Sequence, residues 1–417
     1  MALAIPKPNE VLVSRRDRRR WWIVWTLFCS TALNYINRQT LSVLAPVISK
    51  QFHLDHAQLS NIFSAFQFAY AATWLIGGIF LDVVGTRIGM SIAVIWWSLV
   101  SIVTSFANSA FSFAVFRFLL GIGEGVNWPG ASKAVAEFFP AEERSLAVAI
   151  FDSGSSVGGA IAAIAIPWIA LEFGWRRAFV FSGALGLFWL FLWLLVYPRE
   201  RSATGPSASS SLDLRNLKSL LPLLKRRETW GIVIGRSLTD PIWWFYVFWL
   251  PQYLSDTRGF SLKQIAIFAW IPFIAADIGN FAGGLSSGAL VKRGTAVVRA
   301  RKSICIVSCI PLLAGIPAVF VASPFSSLAL ICFALFGYAS WSTMGLTFPS
   351  DLFPPEVVGS VTGLSGLAAG LSGTLFTLLV GTLVDHFSYA PAFVVAGTAP
   401  ILATLSVVFL IPQSAGT

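Results

Sequence analysis

Twelve apolar stretches, each close to the length that crosses a lipid bilayer, constrain this chain more than any other feature. They run over 22–46, 58–82, 88–108, 111–138, 145–170, 177–197, 229–254, 262–288, 302–322, 326–350, 356–384 and 390–412. About 20 consecutive apolar residues are needed to span the hydrocarbon core. Inside that core the backbone finds no water, so each stretch is expected to be a helix that satisfies its own hydrogen bonds. The expected fold class is therefore an all-α polytopic membrane protein. Composition agrees: only 12% of residues are charged and the mean hydropathy is +0.74, whereas a soluble domain carries about 25% charged residues.

The one long polar connection, "PRERSATGPSASSSLDLRNLKSLLPLLKRRE", reads as a linker from its Ser, Pro and charge content. It divides the chain into a basic tail (1–21), an N-terminal six-helix bundle (22–197), the linker (198–228), a C-terminal six-helix bundle (229–412) and a short tail (413–417). The net charge of +10 invites a nucleic-acid reading, but its placement excludes one. The basic residues gather in the short segments between apolar stretches, where they orient the chain and meet anionic headgroups. The side holding both termini carries the tail, linker and 292–302 clusters; the other holds only Lys50, Arg176, Arg177, Arg258 and Lys263. That bias places both termini in the cytoplasm. The opening "RRDRRRWWIVW" lacks a cleavage site and runs into a full span, so it reads as an uncleaved first helix.

The halves echo one another. "GGIFLDVVGTRIG" follows the second stretch and "GGLSSGALVKRG" the eighth; "FFPAEERSLAVAIFDSGSSVGG" follows the fourth and "LFPPEVVGSVTGLSGLAAG" the tenth. A repeated six-helix unit is a transporter architecture with its substrate site at the midplane between repeats.

These motifs resemble the major facilitator superfamily, whose loop signature is carried by Gly78, Asp82, Gly85 and Arg87. More narrowly, "NYINRQTLSVLAP", "FRFLLGIGEGVNWPGASKAVAEFFPAEERSLAVAIFDSGSSVGG" and "FGWRRAFVFSGALG" are similar to the anion:cation symporter family. "GRSLTDPIWWFYVFWLP" and "IFAWIPFIAADIGNFAGG" look most like its hexuronate and sugar-acid branch. The resemblance covers essentially the whole chain. It implies the twelve-helix major facilitator fold, import of a sugar acid by proton symport, and a multi-pass protein of the bacterial inner membrane. A monomer is expected, with the proton as coupling ion and no cofactor.

The residues that hydrocarbon should exclude point the same way. A charge at the centre of a spanning helix costs about 2.5–3.5 kcal/mol on insertion scales. Arg38 nevertheless lies well inside the first stretch, flanked by Asn34, Tyr35 and Asn37, which make a polar face as a wet cavity requires. Snorkelling to the interface is the alternative. A guanidinium fork fits a carboxylate with two hydrogen bonds, so Arg38 is expected to hold an acid. On the fourth stretch, Arg117 and Glu124 are seven residues apart and share a face with about 20° of drift. A membrane-embedded carboxyl gains or loses its proton as a cation leaves or approaches, which is the chemistry of a proton relay; a permanent structural pair is the alternative. The resemblance implies that Glu124 couples to protons and Arg117 controls it. It also implies an acid immediately before Arg38, where this chain has Asn37. An asparagine cannot titrate, so exchange or uniport without protons stays open.

Further substrate-binding candidates are Tyr70 with Gln67 one turn away, Asn127 near Glu124, and Trp341, whose indole suits a sugar face. Trp243 and Trp244 carry the same argument. Asp152 sits among Ser153, Ser155 and Ser156, a polar cluster suited to the same cavity; Asp277 with Asn280 suits a supporting or gating role, and Arg236 with Asp240 reads as an i,i+4 pair. Asp82 and Arg87 are expected to form a gating contact. Gly154 and Gly158, and the series Gly363, Gly366, Gly370 and Gly373, read as packing faces. Ligand spacing for a metal is missing, the three histidines fall near loops, and no G-x4-GK[ST] run exists. An embedded enzyme and an ATP-driven pump therefore find no support. Paired arginines also disfavour an exporter of apolar drugs.

Overall fold

The computed structural model describes residues 19–139, 141–198, 222–353 and 355–412. Most of the basic tail and linker and all of 413–417 lie outside them. The regular structure among these residues is helical. The first half comprises α1 (Arg19–Phe52), α2 (His56–Val84), α3 (Thr86–Thr104), α4 (Ala110–Glu124), α5 (Asn127–Phe138), α6 (Ala141–Phe173) and α7 (Trp175–Val196). The second comprises α8 (Arg227–Asp256), α9 (Leu262–Phe268), α10 (Ile271–Lys292), α11 (Val297–Leu313), the single turn α12 (Gly315–Ala318), α13 (Pro324–Leu352), α14 (Pro355–His386) and α15 (Ala390–Leu410).

Three expected spans are broken, and proline accounts for each. A proline ring clashes with the carbonyl four residues earlier. Pro129 sets that position at Gly125, directly after α4; Pro272 sets it at Phe268, the end of α9; Pro317 sets it at Leu313, the end of α11. Among the described residues, eight helical segments are long and apolar enough to cross a membrane by themselves: α3, α4–α5, α6, α7, α9–α10, α13, α14 and α15. The expected spans α1, α2, α8 and α11 fall outside that set. The first three carry polar residues described below, and α11 has 17 residues.

The chain repeat reappears as a packing repeat. Within the first half α1 lies on α6 and α7, α2 on α4, and α3 on α7; within the second α8 lies on α14 and α15, α10 on α13, and α11 on α15. Across the halves α2 meets α14, and α6 meets α9 and α10, which are again equivalent pairs. Small residues make the closest contacts. A methyl group on Gly154 or Gly158 of α6 would stand 2.4 Å from the Phe28 carbonyl or 2.3 Å from that of Ala32 on α1. On α14, Gly370 and Gly373 lie against Ala71 of α2 and Trp244 of α8, whereas Gly363 has open space.

One end of the molecule holds the turns at 53–55, 105–109, 257–261 and 387–389. We call it the outer end, after the charge pattern. Three helices start there with reciprocal caps, Asp55 with Gln58, Ser109 with Ser112 and Ser261 with Gln264, each satisfying amide groups a helix start leaves open. Tight corners use glycine at positive φ, Gly174 at the outer end (86°) and Gly85 at the inner (84°).

Candidate functional site

The proline-loosened turn after α4 leaves Glu124 at a helix end deep in the protein, with its backbone carbonyl unclaimed by a regular ladder. Asn34 of α1 approaches that carbonyl with its amide nitrogen at 3.4 Å. The Asn34 oxygen in turn accepts from Nη2 of Arg38 at 2.9 Å. The same Nη2 stands 3.4 Å from Glu124 Oε2, making an ion pair whose side chains are 1% and 0% exposed. Four rings surround the guanidinium: Tyr35 and Tyr70 at 4.5 Å, Phe66 at 5.0 Å and Trp244 at 5.2 Å from their centroids. A desolvated cation over aromatic faces gains about 2 kcal/mol or more, which offsets part of the cost of taking it out of water. Phe66, Tyr70 and Trp74 recur every four residues, so one stripe of α2 supplies two rings of the cage and a third ring beside it. Trp244 reaches in from the second half.

Arg117 takes a different place from the one its spacing suggests. Seven residues of helix rise about 10.5 Å, and Arg117 and Glu124 form no ion pair among the described residues. Instead Arg117 Nη1 donates to the backbone carbonyl of Arg38 at 3.2 Å, and the ion pair of Glu124 is with Arg38. Arg38 thus holds the ion pair with Glu124, while the second buried guanidinium, Arg117, is bound to a backbone carbonyl. Several polar atoms here are buried without a hydrogen-bond partner among the described residues: Glu124 Oε1, the Nε atoms of Arg38 and Arg117, both amide atoms of Gln67, and Asn37 Oδ1. Buried unpaired polar atoms are uncommon in folded proteins and each calls for an explanation such as a ligand.

The other predicted residues divide. Tyr35, Tyr70 and Asn34 are gathered around Arg38, and Gln67 is buried on α2 one turn before Tyr70. Asn127 is buried beside α1, but both ends of its amide are engaged: Ser30 Oγ donates to its oxygen at 2.6 Å and its nitrogen donates to Thr31 Oγ1 at 3.2 Å. It ties α5 to α1 rather than presenting a free group. Trp341 is placed away from the cage. It is 1% exposed, its indole nitrogen donates to Thr404 at 2.9 Å, and its ring fills the space beside Gly235 and Gly345. Its spacing on α13 turns it into the packing with α8 and α15. Arg236 and Asp240 pair at 2.7 Å as expected, and Arg236 also donates to Ser365 of α14 at 3.1 Å. Arg87 donates to the Leu194 carbonyl at 2.8 Å; the Asp82 side chain lies outside the described residues.

A second set of contacts crosses the halves. Ser156 of α6 donates to Asp277 of α10 at 2.5 Å, and Gly159 lies against the ring of Phe273. Ser42 of α1 donates to the carbonyls of Val247 and Phe248 at 2.7 and 2.9 Å. Within the second half Trp243 stacks on Tyr338 with 5.7 Å between centroids. Sequence reasoning missed Phe66 as part of the cage; its aromatic spacing with Tyr70 and Trp74 was the available signal.

Comparison with known proteins gives the family and the fold. The family description "Major Facilitator Superfamily" matches residues 27–377. The hexuronate transporter of Escherichia coli (strain K12) is 32% identical over 401 residues, covering 93% of this chain and 92% of that one. The galacturonate transporter of Dickeya chrysanthemi is 35% identical over 277 residues, covering 64% and 80%. Among solved structures, a D-xylose-proton symporter shares the fold with a TM-score of 0.74 at 17% identity, over 95% of this chain and 99% of its own. A bacterial homologue of the human lysosomal transporter Spinster, inward-facing and occupied, matches with a TM-score of 0.74 at 18% identity, over 95% and 97%. A multi-pass membrane protein built from two packing repeats, this chain belongs to the Major Facilitator Superfamily and, within it, to the sugar-acid permeases.

Proposed function

We propose that this protein is a secondary active transporter importing a sugar acid by proton symport with alternating access. The preferred cargo is a hexuronate such as galacturonate or glucuronate, with aldonates and aldarates as related candidates. The observation that carries the proposal is the buried Arg38 guanidinium, enclosed by four aromatic rings and paired with the buried Glu124. A carboxylate arriving at Arg38 competes with Glu124 for the same Nη2. As the substrate takes over the guanidinium, Glu124 loses its counter-charge, and a carboxyl so buried then binds a proton. The site gains one negative charge and one proton together, so substrate and proton move in the same direction. Tyr70, Tyr35 and Gln67 present hydroxyl and amide groups to the sugar, and Tyr70 and Trp244 an apolar face. The two bundles rock about this site, with Asp82 and Arg87 at the inner gate. The setting is the bacterial inner membrane, both termini in the cytoplasm, with the monomer as the working unit.

Reconstituted protein tests this. Proteoliposomes with an acidic exterior should accumulate labelled galacturonate above the external concentration, and a protonophore should abolish that accumulation. Uptake that ignores the pH gradient but requires substrate inside would assign the protein to exchange, the reading that the non-titrating Asn37 favours.

A further inference from the structure

At the outer end one side chain of the first half meets two carboxylates of the second. His56 is the first residue of α2, ahead of the apolar stretch that begins at residue 58. Its Nδ1 lies 2.7 Å from Oδ1 of Asp385 near the end of α14, and its Nε2 lies 2.9 Å from Oδ2 of Asp256 at the end of α8. Ionised carboxylate oxygens only accept hydrogen bonds, and a neutral imidazole has a single N–H. Both contacts are attractive only if the cluster holds one proton more than a neutral ring and two carboxylates would carry. The surroundings keep that proton on the ring. Asp385 also accepts from the backbone amides of His56 at 3.0 Å and Ala57 at 2.7 Å. Asp256 also accepts from the Tyr389 hydroxyl at 3.0 Å and from Gln252 at 2.9 Å. Donors of this kind favour ionised carboxylates.

The other nearby charges are occupied elsewhere: Asp55 accepts from the amide of Gln58, and Arg258 donates to the Tyr253 hydroxyl and the carbonyls of Ala318 and Val321. Trp249 stacks against the ring at 6.2 Å. The backbones close in beside it, since a methyl on Gly381 would stand 2.5 Å from the His56 carbonyl. The ring is 28% exposed, so it exchanges protons with solvent at that end.

We propose that His56, Asp256 and Asp385 form a proton-binding site whose occupancy latches the outer ends of the two halves together. Partial burial works against the charged ring, but hydrogen bonds and charge from Asp256 and Asp385 outweigh it and hold His56 above its usual value. When the halves separate, the ring loses both carboxylates and returns toward the ordinary histidine value of about 6.5. The latch is therefore fully present below that value and is lost as pH rises through the raised one. This site is independent of Glu124 and of the cargo.

Single-molecule energy transfer between dyes on Asn108 and Ser323, in full-length protein in nanodiscs, reads the outer closure directly. The closed-to-open ratio should fall by up to about tenfold per pH unit within the sensitive window, and the Glu124→Gln variant should keep that response. His56→Gln should flatten the profile, and Asp385→Asn should move its midpoint to lower pH. A wild-type ratio that is constant from pH 5 to 9, or a His56→Gln profile that overlays the wild type, overturns the proposal.

Discussion

Replacing Arg38 with lysine separates the shape of the cation from its charge. Lysine retains a positive group able to face Glu124, but it is a point charge without a planar fork. In the structure one nitrogen, Nη2, already serves both Asn34 and Glu124, while Nε is buried without a partner. A substrate carboxylate gripped by two prongs would use that free edge, and lysine removes it. The stacking of the guanidinium among Tyr35, Tyr70, Phe66 and Trp244 is also lost. One charge-assisted hydrogen bond contributes about 1.5–3 kcal/mol, so galacturonate affinity should weaken by about ten- to a hundredfold. Isothermal titration in detergent measures this without reference to coupling or orientation. A variant that binds within threefold of wild type would show that the fork does not hold the acid, and the site assignment would fall with it.

Three other outcomes follow from the packing. Glu124→Gln should retain galacturonate binding and counterflow exchange while losing accumulation driven by an acid exterior; uphill uptake by this variant would move the coupling site elsewhere. Trp341→Phe should leave substrate affinity within twofold yet lower the melting temperature, because a hydrogen bond to Thr404 contributing about 1 kcal/mol is lost; a tenfold loss of affinity would return Trp341 to the site. Gly158→Val puts side-chain carbon where the Ala32 carbonyl already stands 2.3 Å from a methyl position. Forced separation of α1 and α6 should cost about 1–3 kcal/mol and appear as early loss of the monodisperse peak after heating.

Residue order alone carried the class of the protein, its repeat and the identity of its central cation. Those features are legible because lipid penalises every exception: apolar length, the side on which lysine and arginine gather, and a single arginine among apolar residues all stand out against hydrocarbon. Helical spacing also placed Asn34 one turn from Arg38 and Arg236 one turn from Asp240. Spacing could not decide which partner Glu124 would choose. It put Arg117 on the same face, but the pair formed with Arg38 on another helix because the turn broken by Pro129 sets Glu124 beside α1. It could not show that Trp341 faces packing while Trp244, on α8, completes the cage. Nor could it bring His56, Asp256 and Asp385 together, residues separated by 200 and 329 positions. Contacts of that kind depend on how the two repeats dock. Docking is set by small residues and ring shapes spread over many helices, whereas periodicity within one helix records only which side faces inward.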